Sequence, residues 1–195
     1  MRGLSRDLLL WLVQESDAAV LAGTARPESL LDLLGCMLVQ AAWEDNAGAA
    51  HLVLETGRCP VGHVVLDGSN ALHFAALHAS THILQPLLSA GWDLNARSFA
   101  GDEPVMTAAR EGHAQVVRSL TDAGADVNAC NCTPMTALCV AAEIGHCDIL
   151  TMLLDAGADI NSTICLKGTA LMFATKAHHP AAVISCCSIG AQTPT

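Results

Sequence analysis

The stretch Pro134-Met-Thr-Ala-Leu-Cys-Val-Ala-Ala-Glu-Ile-Gly-His146, with Ile149-Leu-Thr-Met-Leu-Leu-Asp-Ala-Gly-Ala-Asp-Ile-Asn161 after it, decides how the chain folds. It reads as one complete unit. Thr136 is placed to cap a short helix, and Gly145 closes that helix with a turn. A second apolar helix follows. Gly157 ends it, and Asp159-Ile-Asn161 leads the chain out into a loop.

The unit repeats on both sides. Leu72, Val105, Leu138 and Leu171 lie 33 residues apart, as do Gly91, Gly124, Gly157 and Gly190, and Asn95, Asn128 and Asn161. The pairs Ala75-Ala76, Ala108-Ala109 and Ala141-Ala142 keep the same step. Each position has a physical task. Asn70, Thr136 and Thr169 are placed as helix N-caps. Pro104 suits a first helical position, where its missing N–H costs nothing. Paired alanines let neighbouring helices approach closely. The glycines after the second helices supply left-handed backbone. A unit of two short helices has no core of its own and buries its apolar face against its neighbours.

A 33-residue period of paired helices resembles the ankyrin-repeat family. The resemblance rests on four registers: Asn70-Ala-Leu-His73, Glu103-Pro-Val-Met106, Thr136-Ala-Leu-Cys139 and Thr169-Ala-Leu-Met172. It implies an all-α ankyrin solenoid, with four repeats over 68–100, 101–133, 134–166 and 167–195. Residues 1–67 form an N-terminal helical region holding one or two degenerate repeats. There, Leu38-Val-Gln-Ala-Ala42 and Leu52-Val-Leu-Glu-Thr-Gly57 parallel the later units, residues 1–23 read as helix, and 58–67 as a loop. The family's histidine in the first-helix motif braces the neighbouring loop. Only His73 keeps it, and each missing bond forfeits roughly 0.5–1.5 kcal/mol. His113 and His146, after Gly112 and Gly145, fall at the family's structural turn histidine.

The chain has 195 residues, 52% of them apolar and only 3% aromatic, with a net charge of −10 and just Lys167 and Lys176 as lysines. That balance argues against a nucleic-acid-binding face. Nine cysteines, several inside helical patterns, read as reduced thiols of a cytoplasmic or nuclear protein. No apolar run approaches the roughly 20 residues of a membrane helix. Cys130, Cys132 and Cys165 make three candidate ligands without a fourth, so no metal site is expected. No nucleophile context, phosphate loop or His-Glu-x-x-His occurs, so neither catalysis nor a cofactor is expected.

The resemblance implies a protein partner, bound by a monomer through the concave face and the fingertips of the loops. In that register the inner-face candidates are Phe74, Leu77, His78, Arg110, Glu111, Val140, Glu143, Ile144 and Phe173. Arg97, Phe99 and Met135 are fingertip candidates, with Val64, Val65, Leu66, Ile164 and Leu166 beside them. The favoured reading is a non-catalytic adaptor or scaffold. The alternatives are the targeting portion of a larger enzyme, such as a ubiquitin-ligase receptor, and a regulator masking a basic transcription-factor surface. Asn128 and Asn161 follow Leu120 and Leu153 at the spacing of asparaginyl-hydroxylase substrates in the family. Loop hydrogen bonding is the other use open to them.

Overall fold

The computed structural model describes residues 27–56, 64, 67–162 and 168–190. The expected helix over residues 1–23, Val65, Leu66, and the tip around Ile164, Cys165 and Leu166 lie outside these. The described residues form ten helices and no strand. They are α1 (Pro27–Trp43), α2 (Ala47–Glu55), α3 (Ala71–Leu77), α4 (Thr81–Ser89), α5 (Pro104–Glu111), α6 (Ala114–Asp122), α7 (Ala137–Ile144), α8 (Cys147–Asp155), α9 (Ala170–Lys176) and α10 (Pro180–Gly190). The chain divides into two compact units, residues 1–93 and 94–195.

In the first unit α1 packs on α2 and α3, and α2 packs on α4. Ala41 and Ala42 are buried in α1, as are Ala75 and Ala76 in α3. The side opposite the alanines is closed by Val53 of α2 and by Ile83, Leu84 and Leu87 of α4. The start of α3 is a reciprocal cap. Asn70 Oδ1 accepts from the His73 N–H at 3.1 Å, and the His73 ring accepts from the Asn70 N–H at 3.2 Å. Ser80, at the start of α4, makes no side-chain cap. Its place is taken by Asp45 from the α1–α2 turn. Asp45 Oδ1 accepts from the N–H groups of His82 at 3.0 Å and Ile83 at 3.3 Å, and Oδ2 meets the His82 ring at 2.6 Å. One carboxylate therefore ties the first helix pair to the second, at a helix N-terminus that favours negative charge.

In the second unit first helices pack on first helices (α5–α7–α9) and second on second (α6–α8–α10). The alanine pairs of α5 and α7 are fully buried. Val116, Val117 and Leu120 of α6 face Ile149, Leu150 and Leu153 of α8 across the stack, all at most 1% exposed. Met106 and Cys139, which stand where the family has its bracing histidine, are buried as apolar side chains. Thr136 caps α7 by accepting from the Cys139 N–H at 3.3 Å, and Pro104 occupies the first turn of α5. Thr169, expected to do the same for α9, makes no side-chain cap bond.

The turn between the two helices of a pair needs a left-handed residue. Gly112 and Gly145 supply it at φ +81° and +93°. The same place is held at positive φ by Asp45, Ala79 and His178. Ala79 and His178 fall on the 33-residue step of Gly112 and Gly145 and Asp45 one residue off it, so the period marks the place, but none of the three is glycine and the residue type does not announce the left-handed backbone. Against Gly112 lies the ring of His146, and against Gly145 the ring of His179. His146 therefore begins α8 not as a side-chain cap but as a plate over the previous turn.

Candidate protein-binding surface

The loop between α4 and α5 turns sharply at Ser98–Gly101. The Gly101 N–H donates to Ser98 O at 2.8 Å, and the Ser98 N–H to Asp102 O at 3.0 Å. Gly101 has φ +76°, and a Cβ there would lie 2.7 Å from the backbone nitrogen of Cys132. The next loop therefore comes up against this one without a side chain between, and the Cys132 N–H donates to Ala100 O at 3.0 Å. Phe99 sits at the apex, 75% exposed. A large apolar ring is thus held in water on a hydrogen-bonded turn.

Two predicted rim charges have structural tasks. Arg97 Nε donates to Gly101 O at 3.3 Å, and its guanidinium also donates to Cys130 O, so it straps the two loops together. Arg110 donates to Asp102 Oδ2 at 2.8 Å. Asp102 is buried, and its other oxygen accepts from Asn131 Nδ2 at 2.7 Å. Asn131 Oδ1 in turn accepts from the N–H groups of Thr133 and Met135, each at 3.0 Å. The bond to Asp102 raises the Arg110 pKa above its ordinary value; burial opposes this, and Asp102, Glu111 and Glu143 add smaller raising contributions. The chain Arg110–Asp102–Asn131 fixes the bases of both loops and sets Met135, itself half-buried.

On the helix faces, Glu111, Glu143 and Ile144 are exposed. Val140 and Phe173 are not. They are 3% and 6% exposed, so the expectation that they meet a partner is corrected. α7, which carries Val140, packs on α5, α8 and α9, and α9, which carries Phe173, packs on α7 and α10, so first-helix positions at this register are covered within the stack. In the first unit Leu77 is 37% exposed, and Phe74 and His78 are half-buried. These three share their surface with a residue the sequence reading missed. Trp43, at the end of α1, is 54% exposed, stacked on Phe74 with ring centroids 6.1 Å apart and tilted by 34° against the His78 ring at 4.3 Å. The signal was present: if Leu38-Val-Gln-Ala-Ala42 is aligned with Leu72-His-Phe-Ala-Ala76, Trp43 falls on Leu77.

Asn128 and Asn161 lie exposed in the loop exits. Asn128 Oδ1 accepts from the Asp159 N–H at 2.8 Å, and its Nδ2 donates to Gly157 O at 3.1 Å. Asn95 repeats the first of these bonds to the Asp126 N–H at 2.9 Å. Asn161 donates its own N–H to Asp159 Oδ1 at 2.9 Å. The seven cysteines among the described residues are free thiols. Among those residues no group of three or more His, Cys, Asp or Glu is placed to hold a metal ion, and no helix is long and apolar enough to cross a membrane.

Residues 38–131, 72–164 and 124–191 match the family model for ankyrin repeats in three copies. The chain belongs to the ankyrin-repeat family. The ankyrin match begins within α1, so it takes in the α1–α2 pair whose turn signals are weakest. Among curated proteins, the chain is similar to a probable E3 ubiquitin-protein ligase of Oryza sativa subsp. japonica, 36% identical over 86 residues. It is also similar to an E3 ubiquitin-protein ligase of Arabidopsis thaliana, 35% identical over 80 residues. The matched stretches cover 41% and 40% of this chain but only 16% of each ligase. Ankyrin repeats are interaction modules, and that is the class of function the fold carries here.

Proposed function

We propose that this ankyrin array is a non-catalytic adaptor or scaffold of the cytoplasm or nucleus, which holds a protein partner against its loop tips and the exposed positions of its first helices. The observation that carries this reading is Phe99. It is 75% exposed at the apex of a turn whose backbone is pinned to the next loop. A preordered apolar anchor loses little conformational entropy on binding, which is what an interface hot spot requires. Glu111, Glu143 and Ile144 supply a mixed polar and apolar surround. Arg97 and Arg110 contribute by holding the loops in place rather than by direct contact.

Site-specific photo-crosslinking tests this. A benzophenone amino acid at position 99 is expected to give a discrete adduct in cell extract, and the same group at exposed Arg118 on α6 is expected to give none. Equal adducts from both positions would sink the reading.

A second reading is favoured by the two ligase relatives. In it the array selects substrates for a larger ubiquitin-ligase assembly. Ubiquitylation of the species crosslinked through position 99 distinguishes it from a plain scaffold.

A further inference from the structure

The aromatic patch of the first unit has a chemistry of its own. Trp43 exposes about half its surface, and its ring faces Phe74 and His78 within stacking distance. Leu77 extends the patch, 37% exposed. Glu44 follows Trp43 directly, exposed, with Oε1 accepting a side-chain amide hydrogen from Gln40 at 2.6 Å. An exposed indole and an exposed carboxylate are thus consecutive residues at the end of α1.

Among the residues of this unit whose side chains are described, the charge is one-sided: Glu44, Asp45, Glu55, Asp67 and Asp93 are carboxylates, and none is lysine or arginine. A nucleic acid is repelled by such a surface, and a second copy of the chain brings the same sign of charge. A cationic ligand is attracted by it. Ring faces attract cations through their quadrupole, and the planar, weakly hydrated guanidinium stacks on an indole while its edge donates to a carboxylate. An ammonium does the first and not the second.

We propose that the Trp43–Glu44 corner, with Leu77 beside it, docks an arginine-bearing basic segment of a protein partner. The guanidinium stacks on Trp43 and donates to Glu44, and an apolar neighbour on the segment covers Leu77. The proposal rests on the interaction reading above and names the partner's chemistry at one part of the surface.

The test uses the full chain and a fluorescein-labelled ten-residue peptide of alternating arginine and leucine, read by anisotropy at about 0.15 M salt. A matching peptide with citrulline in place of arginine keeps the planar shape and loses the charge. The arginine peptide is expected to bind, and the citrulline peptide about tenfold more weakly or worse, the scale of one desolvated cation–π contact. Trp43→Leu keeps an apolar side chain and removes the indole face, so it is expected to weaken the arginine peptide about tenfold with the helical circular dichroism unchanged. Glu44→Gln is expected to weaken it several-fold, and Glu55→Gln, on α2, to leave it unaltered. The proposal is overturned if Trp43→Leu binds like the native chain, if citrulline substitutes for arginine, or if Glu44→Gln and Glu55→Gln act alike, which would mean diffuse charge. If the peptide fails while position 99 still crosslinks a partner, the arginine chemistry falls and the interaction reading stands.

Discussion

Gly145 and Gly157 hold almost the same left-handed backbone angle, φ +93° and +92°, in different surroundings. A Cβ at Gly157 would meet nothing within 4 Å. A Cβ at Gly145 would lie 2.7 Å from Cγ and Nδ1 of His179. Cγ is the root of the ring, so the side chain has to change its χ1 rather than bend its tip aside. Gly157→Ala therefore carries only the cost of a Cβ in the left-handed region, about 1–2 kcal/mol. Gly145→Ala carries that cost plus the displacement of a packed ring, a further 1–3 kcal/mol or so. In a His179→Ala background the obstruction is gone, and Gly145→Ala is expected to fall back towards the Gly157→Ala value. Urea titrations followed by circular dichroism on the two single variants, His179→Ala and the double variant give the coupling energy, expected at about 1 kcal/mol or more. If Gly145→Ala costs no more than Gly157→Ala, or the cycle shows no coupling, the histidine plate is not part of what holds the turn.

Other outcomes follow from the same structure. Ala79 occupies the left-handed turn position at φ +58°, so Ala79→Gly is expected to raise the thermal midpoint or leave it unchanged, whereas replacement by Val lowers it by several degrees. Asp45→Ala removes the acceptor of two backbone N–H groups at the start of α4 and is expected to cost about 1–2 kcal/mol in a urea titration. Burial, with smaller contributions from Cys187 and Cys147, pushes the Cys186 thiol above its ordinary pKa. At pH 8 its thiolate fraction is depressed, and alkylation followed by tandem mass spectrometry is expected to show exposed Cys187 modified well before Cys186. For the proposed hydroxylation, protein from cells expressing the asparaginyl hydroxylase is expected to carry +16 on Asn128 or Asn161. Its absence from both assigns these asparagines to loop hydrogen bonding alone.

The periodicity of the sequence carried most of the fold because its repeating residues answer to local physics. Glycines past the second helices, a proline at N1 and a threonine N-cap behave the same way in any array, and Gly124, Pro104 and Thr136 are found doing so. Legibility failed where the partner is remote in sequence. Asp45 reaches His82, 37 residues on, and Arg97 reaches Cys130, 33 on, and nothing in either local pattern announces it. The surface was read by angular register, which says which way a side chain points but not how closely the next helix stands. Phe74 and Phe173 share a register, and only the first retains exposure. Trp43 was missed for the opposite reason. Its repeat has lost the turn signals, although its place in the register was recoverable from the alanine pair before it.

The claim that Phe99 anchors a protein partner has one direct test. Affinity capture with the native chain and with Phe99→Ala, compared by quantitative mass spectrometry at matched helicity, is predicted to lose a discrete set of proteins from the variant, each by at least about fivefold, as expected for loss of more than about 1 kcal/mol at a hot spot. An unchanged set of captured proteins, with the variant folded, would contradict it.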